Sequence, residues 1–189
     1  MPRACSTGTC TLWTRAWFAL TSTPPALAGL ALSGGEALGR SRGGFSTKIH
    51  VRAEGHGKPV TFYLTGGERH DSVALPALLD AGAVRRNRGR PRLRPRRVVG
   101  DKAFAGRPSR EHLGSRRIGA VIPAKMGERR RPRFDREAYR ARNRVERLFN
   151  RLKQFRRIAT RYEKRAANYL AMLHLGAILI WINACADTP

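Results

Sequence analysis

Between Ser46 and Ala53 the chain reads Ser-Thr-Lys-Ile-His-Val-Arg-Ala, an alternation of polar and apolar positions with the period of a β-strand. Gly55-His56-Gly57-Lys58 supplies a hairpin loop, and Pro59–Leu64 reads as the returning strand. Gly66-Gly67 ends it, and Asp71 reads as the N-cap of a helix carrying Val73, Leu75, Leu78 and Leu79. Val98-Val99 is a short buried strand that delivers Asp101 at its C-terminal end. A short helix around Arg110–Leu113 and a strand over Gly119–Pro123 follow. From about Asp135 to Ile182 the spacing is helical, with a break expected near Arg165–Asn168 and an apolar stripe of Val145, Leu148, Phe149, Leu152 and Phe155. Hairpin, helix, strand, strand and long helix predict an α/β layer, a mixed sheet covered by helices.

Three stretches fall outside these periods. Residues 1–38 are rich in Thr, Ala, Leu, Pro and Gly, and Pro24-Pro25 breaks any element there. They form an atypical N-terminal segment, expected to be disordered, with residues 39–189 as the folded region. The Trp and Phe content of Thr11–Thr21 still predicts a strand. Residues 85–96 and Arg129–Arg133 are basic loops.

Charge changes the picture most. The 189 residues hold 38 Lys and Arg against 13 Asp and Glu, a formal charge of +25. Thirty of those cations lie between Arg85 and Arg165, a block that repels itself unless a polyanion lies against it. Nucleic acid is the expected partner, and a ribosome-like or histone-like basic protein is the plain alternative. Cys5, Cys10 and Cys185 show neither metal spacing nor a disulfide framework, so a reducing cytoplasm is expected. Arg15 interrupts the mildly apolar start, and Tyr169–Ile182 falls short of the ~20 apolar residues of a membrane span. A buried terminal helix carrying Leu170, Leu173, Ala177, Ile178 and Trp181 is expected there, and no membrane partner.

The candidate chemistry lies on the long helix. Tyr139, Arg142, Glu146 and Lys153 are spaced three, four and seven apart, within an arc of roughly 60° on one face. Glu146 stands at the edge of the apolar stripe, where it and the strand-end Asp101 are placed to share a divalent metal, Mg²⁺ or Mn²⁺. Arg142 and Lys153 would hold phosphate charge. Taken singly, Asp101 reads as a turn cap before Lys102, and Glu146 as the i,i+4 partner of a basic neighbour. Taken with the stripe, they read as a site. The five histidines show no metal spacing.

The stripe Tyr139-x2-Arg142-x3-Glu146-x6-Lys153 resembles the signature around the last acidic residue of DDE transposases of bacterial insertion sequences, in the group numbered four and five. Further matches are Gly39-Arg40-Ser41-Arg42-Gly43-Gly44-Phe45-Ser46-Thr47-Lys48-Ile49-His50, Thr65-Gly66-Gly67 with His70-Asp71-Ser72, Gly100-Asp101-Lys102-Ala103-Phe104, and Arg144–Lys153. The resemblance is collinear over about residues 36–183. It implies a ribonuclease H-like mixed sheet flanked by helices, with Asp101 and Glu146 as second and third metal-holding catalytic acids. Tyr139, Arg142, Lys153, Arg40 and Arg42 would serve as DNA and phosphate contacts. It also implies Mg²⁺- or Mn²⁺-dependent hydrolysis at the transposon end, followed by strand transfer from the freed 3′-hydroxyl. The partners would be double-stranded DNA of the terminal repeats and target, and another copy of the chain, on the nucleoid in the bacterial cytoplasm.

One part of the pattern is missing. The family places its first Asp on the opening strand, shortly before the Gly-Arg-Ser-Arg-Gly-Gly segment, and nothing upstream of Glu36 is acidic here. Members also carry a longer N-terminal DNA-binding region. The abrupt change near Gly34 is read as a truncated or decayed copy, its beginning taken from another frame or start. Catalysis is therefore expected to be impaired. The opening strand is expected to be missing or replaced, with Thr11–Thr21 the candidate to fill its place. Glu36, Glu54 and Asp71 are poor substitutes for the missing acid. The alternative is a non-catalytic DNA-binding protein that interferes with an intact transposase. Arg88-Gly89-Arg90-Pro91 resembles the core of the AT-hook, although a solvated basic loop touching phosphates is favoured.

Overall fold

A computed structural model of the chain describes residues 16–21, 35–41, 44–81, 90, 94–128 and 134–186. Among the described residues the strands are β1 (Ala16–Thr21), β2 (Gly39–Ser41), β3 (Gly44–Ala53), β4 (Pro59–Gly66), β5 (Arg97–Val99) and β6 (Gly119–Val121). The helices are α1 (Leu75–Asp80), α2 (Arg107–Ser115), α3 (Arg136–Arg140), α4 (Asn143–Lys153), α5 (Arg156–Ala159) and α6 (Ala166–Ala186), with 3-10 turns at Asp71–Ala74 and Lys102–Phe104. The main sheet runs β4-β3-β1-β5-β6, with β2 paired to the start of β3. β3 is antiparallel to β4 and β1, whereas β1, β5 and β6 are mutually parallel along the row.

β1 lies at the centre of that sheet. Trp17 pairs with Ala53 on one edge and with Val99 on the other. The place of an opening strand is thus occupied, and neither β3 nor β5 is left with an open edge there. Of the strand expected over Thr11–Thr21, Ala16–Thr21 forms, and residues 11–15 lie outside the described residues.

Helices cover both faces, as the alternation along β3 requires. Ile49, Val51 and Ala53 join Val99 and Val121 under Val145, Leu148, Phe149 and Leu152 of α4 and Tyr169, Leu173, Ala177 and Ile180 of α6. On the opposite face Val98, Phe104, Ile118 and Ile122 pack with Leu75, Leu78 and Leu79 of α1 and Leu113 of α2. Ser46, Lys48, His50 and Arg52 of β3 alternate onto this second face, where Ser46, His50 and Arg52 are buried and Lys48 is partly exposed. The Arg52 guanidinium donates to the carbonyls of Leu78 and Leu79 at 2.9 and 3.2 Å, where a cation complements the C-terminal end of α1. His50 Nε2 lies 2.7 Å from Thr65 Oγ1, and the Lys48 ammonium binds Arg69 O at 2.6 Å and the Asp71 carboxylate at 2.9 Å. Asp71 is therefore an ion-pair partner. The capping role expected of it belongs to His70, whose side chain accepts from the Ser72 amide.

The long C-terminal helix divides into four. The chain stays near-helical through Ala141 and Arg142, but its bonds there tighten to i→i−3: Arg142 N to Tyr139 O at 3.0 Å, Arg144 N to Ala141 O at 3.1 Å, and Val145 N to Arg142 O at 2.9 Å. Extended backbone at Phe155 then ends α4's run, so that α5 can turn back and α6 can lie beside α4 on the same sheet face. Gly176 makes that crossing close, since a Cβ there would stand 2.7 Å from Ile158 Cδ1. α6 has 21 residues, longer than the expected segment, and is apolar and long enough to cross a membrane. Only one side of it meets the core: Leu175, Ile178, Leu179 and Ile182 are each about half exposed. The stripe expected to be buried is accordingly divided, with Leu173 and Ala177 in the core and Ile178 outside.

Arg161 is buried to 1% exposure between these helices. It donates to the carbonyls of Glu36, Glu163 and Lys164 at 2.8–2.9 Å and to Thr47 Oγ1 at 2.5 Å. Its guanidinium carbon lies 5.4 Å from the centre of the Tyr169 ring. Replacing it by Met strands several buried acceptors, and a loss of about 3–5 kcal/mol is expected, seen as a melting temperature lower by about 10 °C. A variant melting within about 2 °C of the parent would show that water replaces those bonds. His50 gives a second expectation. Burial pushes its imidazole down to about 4, with Asp71 opposing and Lys48 assisting. Between about pH 6.5 and 4 the unfolded chain holds a proton that the folded chain does not, so stability falls with pH across that window, by up to about 3 kcal/mol. Urea midpoints at pH 7 and 4.5 should diverge less in His50→Gln than in the parent.

Candidate active site

Each candidate residue is placed by a local rule. β5 ends at Val99, and Asp101 leaves it in extended conformation to cap the 3-10 turn Lys102–Phe104, accepting from Lys102 N at 2.7 Å. Phe104, at 1% exposure, fixes the turn in the core. Asp135 caps α3 through Ala138 N at 2.8 Å, which carries Tyr139 to the junction with α4. Glu146 stands in the first turn of α4, where a carboxylate is favoured by the helix dipole.

Three of the four stripe residues come together. Arg142 Nη2 donates to Glu146 Oε1 at 2.5 Å, and its guanidinium carbon lies 5.7 Å from the Tyr139 ring centre. Tyr139 also contacts the Phe134 ring, with centroids 5.4 Å apart. Burial raises the Tyr139 phenol, Arg142 opposes that rise, and the charges of Asp101 and Glu146 add to it. Tyr139 therefore sits in the field of both carboxylates and links β5's end to α4. Lys153 shares the stripe, but at the exposed far end of α4, seven residues or roughly 10 Å along the helix from Glu146. The stripe does not lie on one helix: Tyr139 belongs to α3, and Glu146 and Lys153 to α4.

The remaining basic candidates are spread out. Arg40 is exposed on β2, 5.9 Å over the Phe45 ring, and Arg90 is exposed. Arg42 and Arg88 lie outside the described residues.

The contacts of these side chains compete with a divalent metal. Asp101 spends one oxygen on its turn, and Glu146 is bound by Arg142. Among the described residues no three His, Cys, Asp or Glu converge. Nearby acids are engaged elsewhere. Glu36 accepts from Ala166 N at the start of α6, Glu54 accepts from Lys58 N at 3.0 Å, and Asp135 pairs with Arg97 at 3.0 Å. In the strand register, Ala19 pairs with Val51 and, counted on from Trp17 opposite Val99, is level with Asp101. β1 reads Ala-Trp-Phe-Ala-Leu-Thr.

Similarity to known proteins shows the family. Residues 33–182 match the family model of the transposase DDE domain, and the chain belongs to that family. It is 35% identical over 138 residues to the transposase assigned to insertion sequence element IS402 of Burkholderia cepacia, covering 72% of this chain and 63% of that protein. It is 28% identical over 140 residues to the one assigned to element IS6501 of Brucella ovis, covering 73% of this chain and 99% of that protein. The chain thus spans less than two thirds of the first relative and nearly all of the second. Transposases of this family generally use divalent metal ions.

The phenol of Tyr139 reports on the cluster. Removing a neighbouring carboxylate with Asp101→Asn should lower its pKa, and removing the cation with Arg142→Ala should raise it. Ultraviolet titration of the phenolate, read as a difference from Tyr139→Phe, tests both. Equal curves for the parent and Asp101→Asn would separate Asp101 from the stripe.

Proposed function

We propose that this chain is a ribonuclease H-like transposase domain that binds double-stranded DNA and whose strand-cleaving centre lacks its first carboxylate. The sheet order β4-β3-β1-β5-β6 and the helices on both faces support that architecture, and because β1 is its central strand the domain takes in Ala16–Thr21 as well as residues 39–189. The DNA of transposon terminal repeats and target is the partner, as the charge of +25 and the transposase relatives suggest. Tyr139, Arg142 and Lys153 contact phosphate near the cleavage position, and Arg40, Arg42, Arg88 and Arg90 contact the backbone farther out. Asp101 and Glu146 are the two acids that remain to hold Mg²⁺ or Mn²⁺.

The observation that carries the catalytic part of this reading is the pairing of Trp17 with Val99, from which, counting on two residues, Ala19 and not an acid comes level with Asp101. Two carboxylates already engaged by a turn amide and a guanidinium hold a divalent pair poorly. The chain then occupies DNA without cutting it at a useful rate.

Nicking of a duplex carrying the flanking terminal repeats, in Mg²⁺ or Mn²⁺, provides the test. Bound but uncut DNA is expected. Directly paired strand residues share a face, so Ala19→Asp adds a carboxylate on the sheet face of Val51, which α4 covers. That variant should nick at least ~100-fold faster than the parent, and a further Glu146→Ala should abolish the gain. Metal-dependent nicking by the parent that vanishes in Glu146→Ala would overturn the reading, because another residue would then replace the first acid.

A further inference from the structure

A second cleft lies on the other flank of α4. The hairpin loop His56–Lys58, the end of α4 at Arg151 and Gln154, Phe155, and the end of α6 at Asn183 enclose about 530 Å³. That is the size of a small-ligand site, typically about 300–1,000 Å³. On α4, Arg151 lies about 140° round the helix from Glu146, so this cleft is separate from the candidate active site. The loop is held against α4 in a defined way. Arg144 donates to Gly55 O, and Gly57, at φ 87°, approaches so closely that a Cβ would stand 2.9 Å from Arg144 O.

The lining is suited to one chemical class. Lys58 and Arg151 supply cations, His56 an imidazole, and none of the described lining residues is acidic. The Lys58 ammonium is placed 4.8 Å over the Trp181 ring, itself anchored by its indole N–H to Pro59 O at 2.8 Å. The one carboxylate close by, Glu54, is turned into the hairpin by the Lys58 amide. Gln154 and Asn183 each offer a donor and an acceptor, as the edge of a nucleobase requires. Phe155 and Ile180 provide an apolar wall for a base face.

We infer that this cleft binds an unpaired nucleotide of a DNA strand, with its phosphate on Lys58 and Arg151 and its base between the amides and Phe155. A duplex shields its base edges and faces, so the cleft distinguishes a frayed or single-stranded end from an intact helix. The inference rests on the DNA-binding reading above and concerns a different surface.

Anisotropy titration of the full chain with three labelled probes tests it: a blunt duplex, the same duplex with a two-nucleotide single-stranded tail, and that duplex with an abasic tail. The tailed duplex should bind about 10-fold tighter than the blunt one, and the abasic tail should lose most of that gain. Arg151→Gln and Asn183→Ala, both exposed positions, should remove the gain while changing blunt-duplex affinity less than about twofold. Equal binding of blunt and tailed duplexes, or a gain that survives both substitutions, would overturn the cleft's role and leave the DNA-binding reading standing. Failure of all three probes to bind would overturn both.

Discussion

The guanidinium of Arg161 ties together segments that no local rule would join. Its donors reach Glu36 before β2, Thr47 on β3, and Glu163 and Lys164 in the link between α5 and α6, while its plane lies against Tyr169. Thr47 Oγ1 in turn donates to Ala37 O, and the Glu36 carboxylate takes the Ala166 amide at the start of α6. One buried cation therefore sets the entry of the chain into the sheet and the direction of its longest helix. A buried charge survives only when its hydrogen-bonding capacity is met, and here backbone carbonyls meet most of it. The same contacts engage Glu36, whose carboxylate accepts from the first amide of α6.

The sheet repeats this economy on its other face. β3 is buried on both sides although half its positions are polar, because Lys48, His50 and Arg52 hold the turn and helix that cover them. The alternation that normally marks a half-solvated strand here marks one apolar interface and one hydrogen-bonded interface. β1 lies between β3 and β5, and Asp101 follows the end of the parallel strand β5.

Charge imbalance shapes the site as much as the fold does. The chain has 38 cations and 13 acids, and among the described residues eight carboxylates are in ion pairs. Glu146 is one of them. Both modest readings of the two acids, a turn cap for Asp101 and an i,i+4 partner for Glu146, hold in the structure, and both residues still bear on Tyr139. Local pairing and membership of a site are compatible, because the interactions that position a carboxylate also neutralise it.

By itself, the sequence determined whatever depends on neighbours along the chain. The β3–β4 hairpin, the strand leading to Asp101, α2 and the apolar face of α4 follow from alternation, turn residues and helical spacing, and the transposase family follows from motifs of the same short range. Tertiary structure alone decided the rest. The Trp and Phe content of Thr11–Thr21 announces a strand, but only pairing with Ala53 and Val99 puts Ala16–Thr21 at the centre of the sheet. The division of the C-terminal helix reflects the need to lay α4 and α6 side by side on one sheet face. Arg161 looked like one more cation in a basic block, since hydrogen bonds spanning 114 and 125 residues leave no local trace. The position level with Asp101 was hidden for the same reason: register between strands is a property of packed surfaces, and the linear order of residues does not encode it.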